Sequence, residues 1–269
     1  MRPHPSRLPL LMFLPLAVAM LATAWQSHNP VTLAIVAASL LMFAACWASA
    51  SQVLGHGPAL RFVAVACGLG WLAEQLGSTL GWFFGDYTYT PLLGLRLGDV
   101  PLVIPMMWFA LTYAGFIMAN LIVWQRPVTM AGSHGLPGLL FLALLGGMIV
   151  TAFDLGADPY LVFHLHAWDM LKKGSWFGET MQGFVGWVFV SFVILSVFRW
   201  NQRSRPEVAA PHPLMVLLPM GIYASGMVFQ MIWGVPVETR AIAPFAMGIP
   251  LLCALAGFWR WRHDSSEGL

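Results

Sequence analysis

Eight apolar runs of about twenty residues, joined by short polar segments, limit the folds open to this chain more than any other feature of its sequence. An α-helix rises about 1.5 Å per residue, so a run of this length crosses the roughly 30 Å hydrocarbon core of a bilayer. The runs cover residues 8–25, 31–53, 58–81, 101–124, 136–154, 183–198, 213–233 and 241–261. Charged residues make up 9% of the chain, far below the roughly 25% of soluble domains. The sequence therefore predicts an all-α fold, a polytopic transmembrane helical bundle of about eight spans that forms a single integral membrane domain over residues 1–269.

The basic residues predict how the bundle is oriented in the membrane. If the N-terminus is inside, only four basic residues fall on outer segments: Arg96, Lys172, Lys173 and Arg240. The inner segments hold Arg2, Arg7, Arg61, Arg126, Arg199, Arg203, Arg205, Arg260 and Arg262. Because cytoplasmic segments are enriched in Lys and Arg, we expect both termini to be cytoplasmic, in the inner (plasma) membrane of the cell. The first run has an alternative interpretation as a cleaved signal peptide, since Ala22-Thr23-Ala24 resembles a cleavage site.

Several ligand classes find no support in the sequence. The formal net charge of +2 is too small to indicate a nucleic-acid partner. The cysteines lie in apolar runs without CxxC or Cys/His spacing, so we expect them to be small core residues. The histidines lie in loops, tails or the ends of runs, whereas a bis-histidine haem in a helical bundle needs ligands within the spans. We therefore predict no metal site and no cofactor.

A carboxyl group in the third run is the first candidate for chemistry. Glu74 lies in the stretch Trp71–Pro105, at a depth where an ionisable side chain is costly unless it is paired or functional. It could cap a polar network with Gln75 or Thr79, or it could be a carboxyl group that burial keeps protonated, ready to donate its proton. If the helix extends far enough, three glycines continue the same face: Gly77, Gly81 and Gly85.

Acidic and aromatic residues follow that run. Asp86 lies at the expected membrane edge beside Tyr87 and Tyr89, whose hydroxyls can form hydrogen bonds while their rings line an apolar groove. An interfacial turn is the alternative interpretation. The acidic residues as a whole favour the predicted outer side of the membrane, so we expect any chemistry to take place there.

A second stretch of similar character covers residues 151–187. Asp154 and Asp158 are four residues apart, which places two carboxyl groups on one face near the end of a helix. Two ionised groups so close repel each other, so we expect one to keep its proton, as general acid–base chemistry requires. An aspartate that caps the helix before Pro159 is the alternative. We predict that this stretch and Trp71–Pro105 face each other and form the working site.

Motifs in these two stretches carry a resemblance to a known family. They are Glu74-x-x-Gly77-x-x-x-Gly81, Phe84-Gly85-x-Tyr87-x-Tyr89, Leu93-Gly94, Val100-Pro101-Leu102-x-Ile104-Pro105-x-x-Trp108-x-x-x-x-Tyr113, Thr151-Ala152-x-Asp154-Leu155-x-x-Asp158-Pro159, Phe177-Gly178 and Phe184-x-Gly186-Trp187. The chain from about residue 71 to 187 resembles the membrane carotenoid-biosynthesis family that includes the carotenoid 1,2-hydratases and bisanhydrobacterioruberin hydratases. It departs from the family pattern at Ala167-Trp168-Asp169, where a Trp-x-Trp is expected, and at Gly183, where an Asn is expected.

The resemblance implies a cofactor-independent lyase that adds water to the terminal C1=C2 double bond of an acyclic (ψ) carotenoid end and forms a tertiary alcohol. It implies a carotenoid substrate, such as lycopene, γ-carotene or a C50 precursor, which is met in membrane lipid, and water as the second substrate. Protonation of the alkene would fall to Glu74 or Asp154, and Asp158 or Asp86 would position the water. The aromatic residues that would contact the substrate or its cation are Tyr87, Tyr89, Trp108, Tyr113, Trp168 and Trp187.

Two other classes of protein share parts of this pattern. Proton-coupled transporters also place acids and prolines within their spans, but such carriers often show two similar halves, and the sequence has no internal repeat. A carotenoid or polyprenyl isomerase or cyclase would also use acid chemistry through a carbocation. Water distinguishes the hydratase from these enzymes, because only its product gains one molecule of water.

Overall fold

The computed structural model describes residues 8–128, 135–203 and 211–267. Three basic residues used in the orientation prediction, Arg2, Arg7 and Arg205, lie outside these ranges. The helices are α1 (Leu8–Gln26), α2 (Pro30–Val53), α3 (His56–Leu80), α4 (Val103–Trp124), α5 (Leu136–Pro159), α6 (Met181–Gln202), α7 (Pro213–Trp233), α8 (Glu238–Ala246) and α9 (Gly248–Glu267). The short strands of the described chain are β1 (Tyr87–Tyr89), β2 (Arg96–Leu97), β3 (Val100–Pro101) and β4 (Trp168–Met170).

Seven helical segments of the described chain are long and apolar enough to cross a membrane. They are α2, α3, α4, α5 with the turn that follows it, α6, α7, and α8 together with α9. A shorter apolar segment in α1, Leu11–Gln26, corresponds to the first predicted run. The prediction of an all-α, polytopic helical bundle is confirmed.

The central helix of the bundle is α4. Within its apolar segment 83% of the residues are buried, against 28–44% in the other spanning segments. It carries no charged residue and is apolar on every side, a pattern that indicates a helix enclosed by others. It packs against α2, α3, α5, α7 and α9, and large side chains such as Trp108, Phe109 and Tyr113 fill the space between them.

The backbones of α4 and α5 approach each other closely at a pair of glycines. A Cβ atom added to Gly115 would lie 2.7 Å from the carbonyl oxygen of Gly146, nearer than side chains in proteins come. Small residues at such positions let two helices in a membrane pack directly on each other's backbone. The contact holds α5, with Asp154 and Asp158, beside the central helix.

Gly115→Ala is expected to lower the melting temperature, because the added methyl group forces α4 and α5 apart. Overpacking of this kind costs about 1–3 kcal/mol. Thermal unfolding of the purified protein in detergent measures the effect. Gly68→Ala is the matched control, since a Cβ at Gly68 meets nothing within 4 Å, and in a helix alanine is favoured over glycine by about 1 kcal/mol. Equal melting temperatures for Gly115→Ala and the wild type would contradict the packing argument.

The end of α3 differs from the predicted run. Gly81 adopts the left-handed conformation, with φ 69°, and its N–H bonds back to Gly77 O, which closes the helix at Leu80. Gly85 therefore lies in the following loop, and the expectation that it continues the helical face of Glu74 is wrong. The chain turns back toward α3 at this point.

The end of α5 also differs from the predicted run. The helix continues past Asp154 to Pro159 and ends in a π-helical turn, Tyr160–His164. Asp158 therefore lies within the helix, and the alternative of an aspartate that caps it does not hold.

The last predicted run, residues 241–261, is divided between two helices. α8 ends at Ala246 and α9 begins at Gly248. Pro250 has no N–H to donate to Ala246, so a single unbroken helix would lack a hydrogen bond at this point. The break lies in a part of the bundle that does not line the cavity described below.

Short antiparallel strands, which the apolar pattern did not predict, connect the loops at one end of the bundle. β2 pairs with β3 just before α4. β1 pairs with β4, with Tyr87 opposite Met170 and Tyr89 opposite Trp168. Because β1 belongs to the stretch Trp71–Pro105 and β4 to residues 151–187, the prediction that these two stretches face each other is confirmed.

Candidate active site

The C-terminal ends of α3 and α5 and the N-terminal ends of α4 and α6 meet around a cavity of about 50 Å³, which β1 and β4 also line. The acids of its wall are Glu74, Asp154, Asp158 and Glu179. Its aromatic residues are Phe84, Tyr87, Tyr89, Phe153, Trp168 and Trp187. All four acids are buried. A group of buried acids is unfavourable unless its members are paired or functional, so this cavity is the candidate site.

Both carboxyl oxygens of Glu74 accept hydrogen bonds. Tyr87 Oη and Tyr89 Oη donate to Oε2 over 2.5 and 2.7 Å, and Trp108 Nε1 donates to Oε1 over 2.9 Å. Only 4% of the side chain is exposed. An ionised carboxyl group accepts hydrogen bonds and donates none, so three donors around Glu74 are the arrangement expected for a carboxylate ion.

The polar network around Gln75, which was the alternative for Glu74, forms without it. Gln75 Nε2 donates to Asp99 Oδ2 over 2.8 Å, and its Oε1 accepts from the Asp99 N–H over 3.0 Å. Thr79 Oγ1 donates to the carbonyl oxygen of Gln75. Glu74 contacts the tyrosines and Trp108 instead, on the cavity side of α3.

Local backbone geometry brings the two tyrosines to Glu74. Once α3 closes at Gly81, the chain returns along its last turns as β1. A Cβ at Gly77 would lie 2.9 Å from Tyr87 Oη, so glycine leaves room there for the hydroxyl. Burial, reinforced by the charge of Glu74, raises the pKa of Tyr87 and of Tyr89 well above the usual range. Both hydroxyls therefore remain protonated donors at neutral pH.

Asp154 and Asp158 form a pair on one face of α5, as their spacing predicts. Their carboxyl groups share a hydrogen bond, which requires at least one proton between them. Asp158 also accepts a hydrogen bond from Trp187, so it has the acceptor role and Asp154 holds the proton. Among the described residues Asp154 Oδ2 has no hydrogen-bond partner. One acid of the pair is thus protonated, and one of its oxygens is unpaired.

Aromatic rings enclose the acids. The rings of Trp108 and Trp187 stack with centroids 4.3 Å apart and 21° between their planes, and Phe84 packs against both of them. Tyr89 meets Trp168 edge to face at 5.8 Å. The cavity therefore combines several aromatic π faces with negative charge. Both features attract a cation, even one that has no hydrogen-bonding groups.

Asp86 lies outside the cavity, although the sequence made it a candidate. Its carboxylate forms an ion pair with Lys172 Nζ over 2.7 Å, and the Asp86 side chain is 38% exposed. The backbone explains the difference, because Leu171 N–H donates to Asp86 O beside the β1–β4 pair and so places Lys172 next to Asp86. Asp86 is therefore not brought together with the buried acids.

Tyr113 also lies apart from the cavity. Its hydroxyl contacts Ser49 Oγ at 2.8 Å, between α4 and α2, and the side chain is fully buried there. The structure brings the other aromatic candidates, Tyr87, Tyr89, Trp108, Trp168 and Trp187, to the cavity or to Glu74.

Glu179 is a cavity residue that the sequence did not single out. It lies in the loop before α6 and is 4% exposed, with Oε1 unpaired among the described residues. An acid in a loop on the predicted outer side is normally a solvated surface residue, so the composition did not indicate that Glu179 is buried. Its position directly after Phe177-Gly178 was the available hint. In the described ranges no group of three or more His, Cys, Asp or Glu side chains has a metal-binding arrangement.

Comparison with known proteins adds a family and a distant relative. A family model described as "Carotenoid biosynthesis protein" matches residues 29–255. A bisanhydrobacterioruberin hydratase from Haloarcula japonica is 26% identical over 126 residues. That alignment covers 46% of this chain and 39% of the relative, so the chain matches well under half of that protein's length. No solved structure matches the chain.

Proposed function

The chain belongs to the carotenoid biosynthesis protein family and is a multi-pass membrane protein with a carotenoid-modifying role, and on this premise we propose that it is a carotenoid hydratase. Water adds across the terminal C1=C2 double bond of an acyclic (ψ) end group and gives a tertiary 1-hydroxy carotenoid. The name of the Haloarcula japonica relative supports water as a substrate. The observation that carries the proposal is the buried aspartate pair with its shared proton, enclosed with Glu74 in a cavity lined by aromatic rings.

Asp154 is the acid in this proposal. It holds the proton of the pair, and the proton passes to C2 of the alkene, which leaves a tertiary cation at C1. Addition at C2 is preferred because the positive charge then rests on the more substituted carbon.

Glu74 and the aromatic rings stabilise the cation. The carboxylate of Glu74 is held by three donors, so its negative charge is in place before the reaction begins. A fixed charge in a cavity with little water interacts strongly with developing positive charge. The rings of Trp168 and Trp187, which line the cavity, add cation–π attraction.

Water completes the reaction at C1. A water molecule needs at least about 10–15 Å³ of cavity volume, so a cavity of about 50 Å³ holds a few of them. Asp158 accepts a proton from the attacking water, and the pair regains the proton that Asp154 gave to C2. Alkene and water are consumed, one alcohol is formed, and no oxidant, reductant or cofactor is needed.

The proposed setting is the plasma membrane, with the cavity on its non-cytoplasmic side. The distribution of Lys and Arg along the sequence supports this orientation. Lycopene, γ-carotene and C50 precursors are the candidate substrates, since each can carry a ψ end group. All of them dissolve in the lipid that surrounds the bundle.

Incubation of the full-length protein with these carotenoids in D₂O tests the proposal. A hydratase product gains the mass of one water molecule, and one deuterium remains on carbon after the hydroxyl exchanges back in H₂O. An isomerase or cyclase that proceeds through the same cation incorporates no oxygen. Unchanged pigments with all candidate substrates, given intact protein, would favour the proton-coupled transporter, for which proton-driven uptake into vesicles is the test.

Replacement of Trp187 is expected to slow hydration, because it removes an aromatic face from the cavity and a hydrogen bond to Asp158. Cation–π contacts contribute about 0.5–2 kcal/mol, so Trp187→Leu should reduce turnover by roughly 2- to 30-fold. Trp187→Phe keeps a π face and should fall between Trp187→Leu and the wild type. Initial rates of product formation, normalised to folded protein, give the comparison. Trp259→Leu, at a residue whose side chain is 69% exposed, is the control. Both Trp187 variants lack the hydrogen bond to Asp158, so the difference between their rates measures the effect of the ring. Equal rates for Trp187→Leu and Trp187→Phe would count against a role for the ring.

A further inference from the structure

A short hairpin directs Glu179 toward the aspartate pair. Gly174 N–H donates to Gly178 O over 2.7 Å, and the backbones of Trp176 and Glu179 exchange two hydrogen bonds. Trp176 Nε1 donates to the carbonyl oxygen of Leu155 over 3.0 Å, which fixes the hairpin to α5 beside Asp154. Glu179 is thereby buried in the cavity wall although it precedes the first turn of α6.

The titratable groups that share the cavity with Glu179 come from three elements: Asp154 and Asp158 on α5, Glu74 on α3, and Tyr87 and Tyr89 on β1. In the described chain Glu179 forms no ion pair, and the nearby loop cation Lys172 is engaged by Asp86. Burial, together with the negative charge of Asp158, raises the pKa of Glu179 to about 8. Glu179 is therefore mostly protonated at neutral pH.

Its place in the fold separates Glu179 from the other three acids. Glu74, Asp154 and Asp158 all lie on membrane-spanning helices, whereas Glu179 lies on a loop at the end of the bundle. Its Oε1 has no hydrogen-bond partner among the described residues, although both oxygens of Glu74 are fully bonded. Glu179 Oε1 and Asp154 Oδ2 are thus the buried acid oxygens of the cavity that have no hydrogen-bond partner in the described ranges.

We propose that Glu179 is a proton-relay residue, which returns to Asp154 the proton that Asp158 takes from the attacking water. The inference rests on the proposed hydration, since Asp154 must hold a proton before each turnover. Protonated Glu179 passes its proton to ionised Asp154, whose Oδ2 has no hydrogen-bond partner among the described residues, and Glu179 regains a proton from Asp158. No bond to carbon forms or breaks at Glu179, and the number of protons is unchanged over the cycle.

The pH profile of hydration by the full-length protein tests the relay. In the wild type the rate should fall as pH rises through about 8, because Glu179 ionises, cannot deliver a proton and adds negative charge beside Asp158. Glu179→Gln should hydrate roughly 10-fold more slowly at pH 7, a smaller loss than that of a primary general acid. It should also lack the decline near pH 8, whereas Glu179→Asp keeps a titrating group and should keep a decline.

Infrared spectroscopy of the same proteins supplies a readout that does not depend on turnover. The wild type should show a protonated carboxyl band that disappears near pH 8. This change should be absent in Glu179→Gln and present in the exposed control Glu238→Gln. A Glu179→Gln variant that is slower but has the wild-type pH profile would be structurally impaired, which would overturn the relay, as would an unchanged infrared titration. Absence of hydration in the wild type itself would overturn the proposed function instead.

Discussion

Asp154→Asn is expected to reduce hydration by roughly 10²- to 10⁴-fold, the range associated with loss of a general acid. The amide has the shape of the carboxyl group and cannot release a proton at neutral pH. Its NH₂ group can still donate to Asp158, so the hydrogen bond within α5 is kept and the protein should fold normally. The loss would therefore report on chemistry and not on stability.

Product analysis by mass spectrometry, with a melting curve for each variant, measures this effect. Asp169→Asn is the matched control, since Asp169 is an exposed aspartate on β4 whose sequence neighbours, Trp168 and Met170, line the same cavity. If the aspartates act as one unit, the double variant Asp154→Asn/Asp158→Asn should be little worse than Asp154→Asn alone. Wild-type turnover in Asp154→Asn would show that the proton comes from elsewhere.

Glu74→Gln is expected to lower hydration by roughly 10²-fold or more, by analogy with the removal of one preorganised electrostatic group from an active site. Trp108 Nε1 can only donate, so it keeps the amide oxygen in the place of Oε1. The NH₂ group then faces Tyr87 and Tyr89, whose hydroxyls can rotate to accept its hydrogens. The geometry survives and the negative charge is lost.

Stability separates this effect from a folding defect. The free energy of unfolding should fall by only about 1 kcal/mol, because most hydrogen bonds are replaced. Glu238→Gln, at an exposed residue of α8, is the control for the change of charge. Full activity in Glu74→Gln would make Glu74 a structural acceptor for the tyrosines and Trp108, and the cation would need another stabilising charge.

The apolar pattern was sufficient to predict the fold class. Each run is long enough to span a membrane and must satisfy its own backbone hydrogen bonds there, which leaves the helix as the available structure. The same physics identified Glu74 and Asp154, because an acid within an apolar run is costly and stands out, and the four-residue spacing from Asp154 added Asp158. Their meeting in one cavity agrees with the prediction that the two stretches face each other.

The loop acids were beyond sequence reasoning. Asp86 and Glu179 each follow a glycine in an aromatic-rich loop at the same end of the bundle, and nothing in their neighbours ranks one above the other. Strand pairing places Asp86 beside Lys172, and the hairpin tied to Leu155 places Glu179 in the cavity. Both outcomes depend on contacts between segments that are distant in sequence.

The sequence also did not determine which neighbouring helix each face of the central helix contacts. Trp108 and Tyr113 are five residues apart, so their side chains point about 140° away from each other around the helix. Trp108 reaches Glu74 on α3, and Tyr113 reaches Ser49 on α2. Because α4 is apolar on every side, its sequence has no periodicity that could distinguish these faces. The sequence alone thus determined the helices and the acids buried within them. The packing around α4 decided which other side chains meet those acids, because burial on all sides removes the polar pattern that orients a helix.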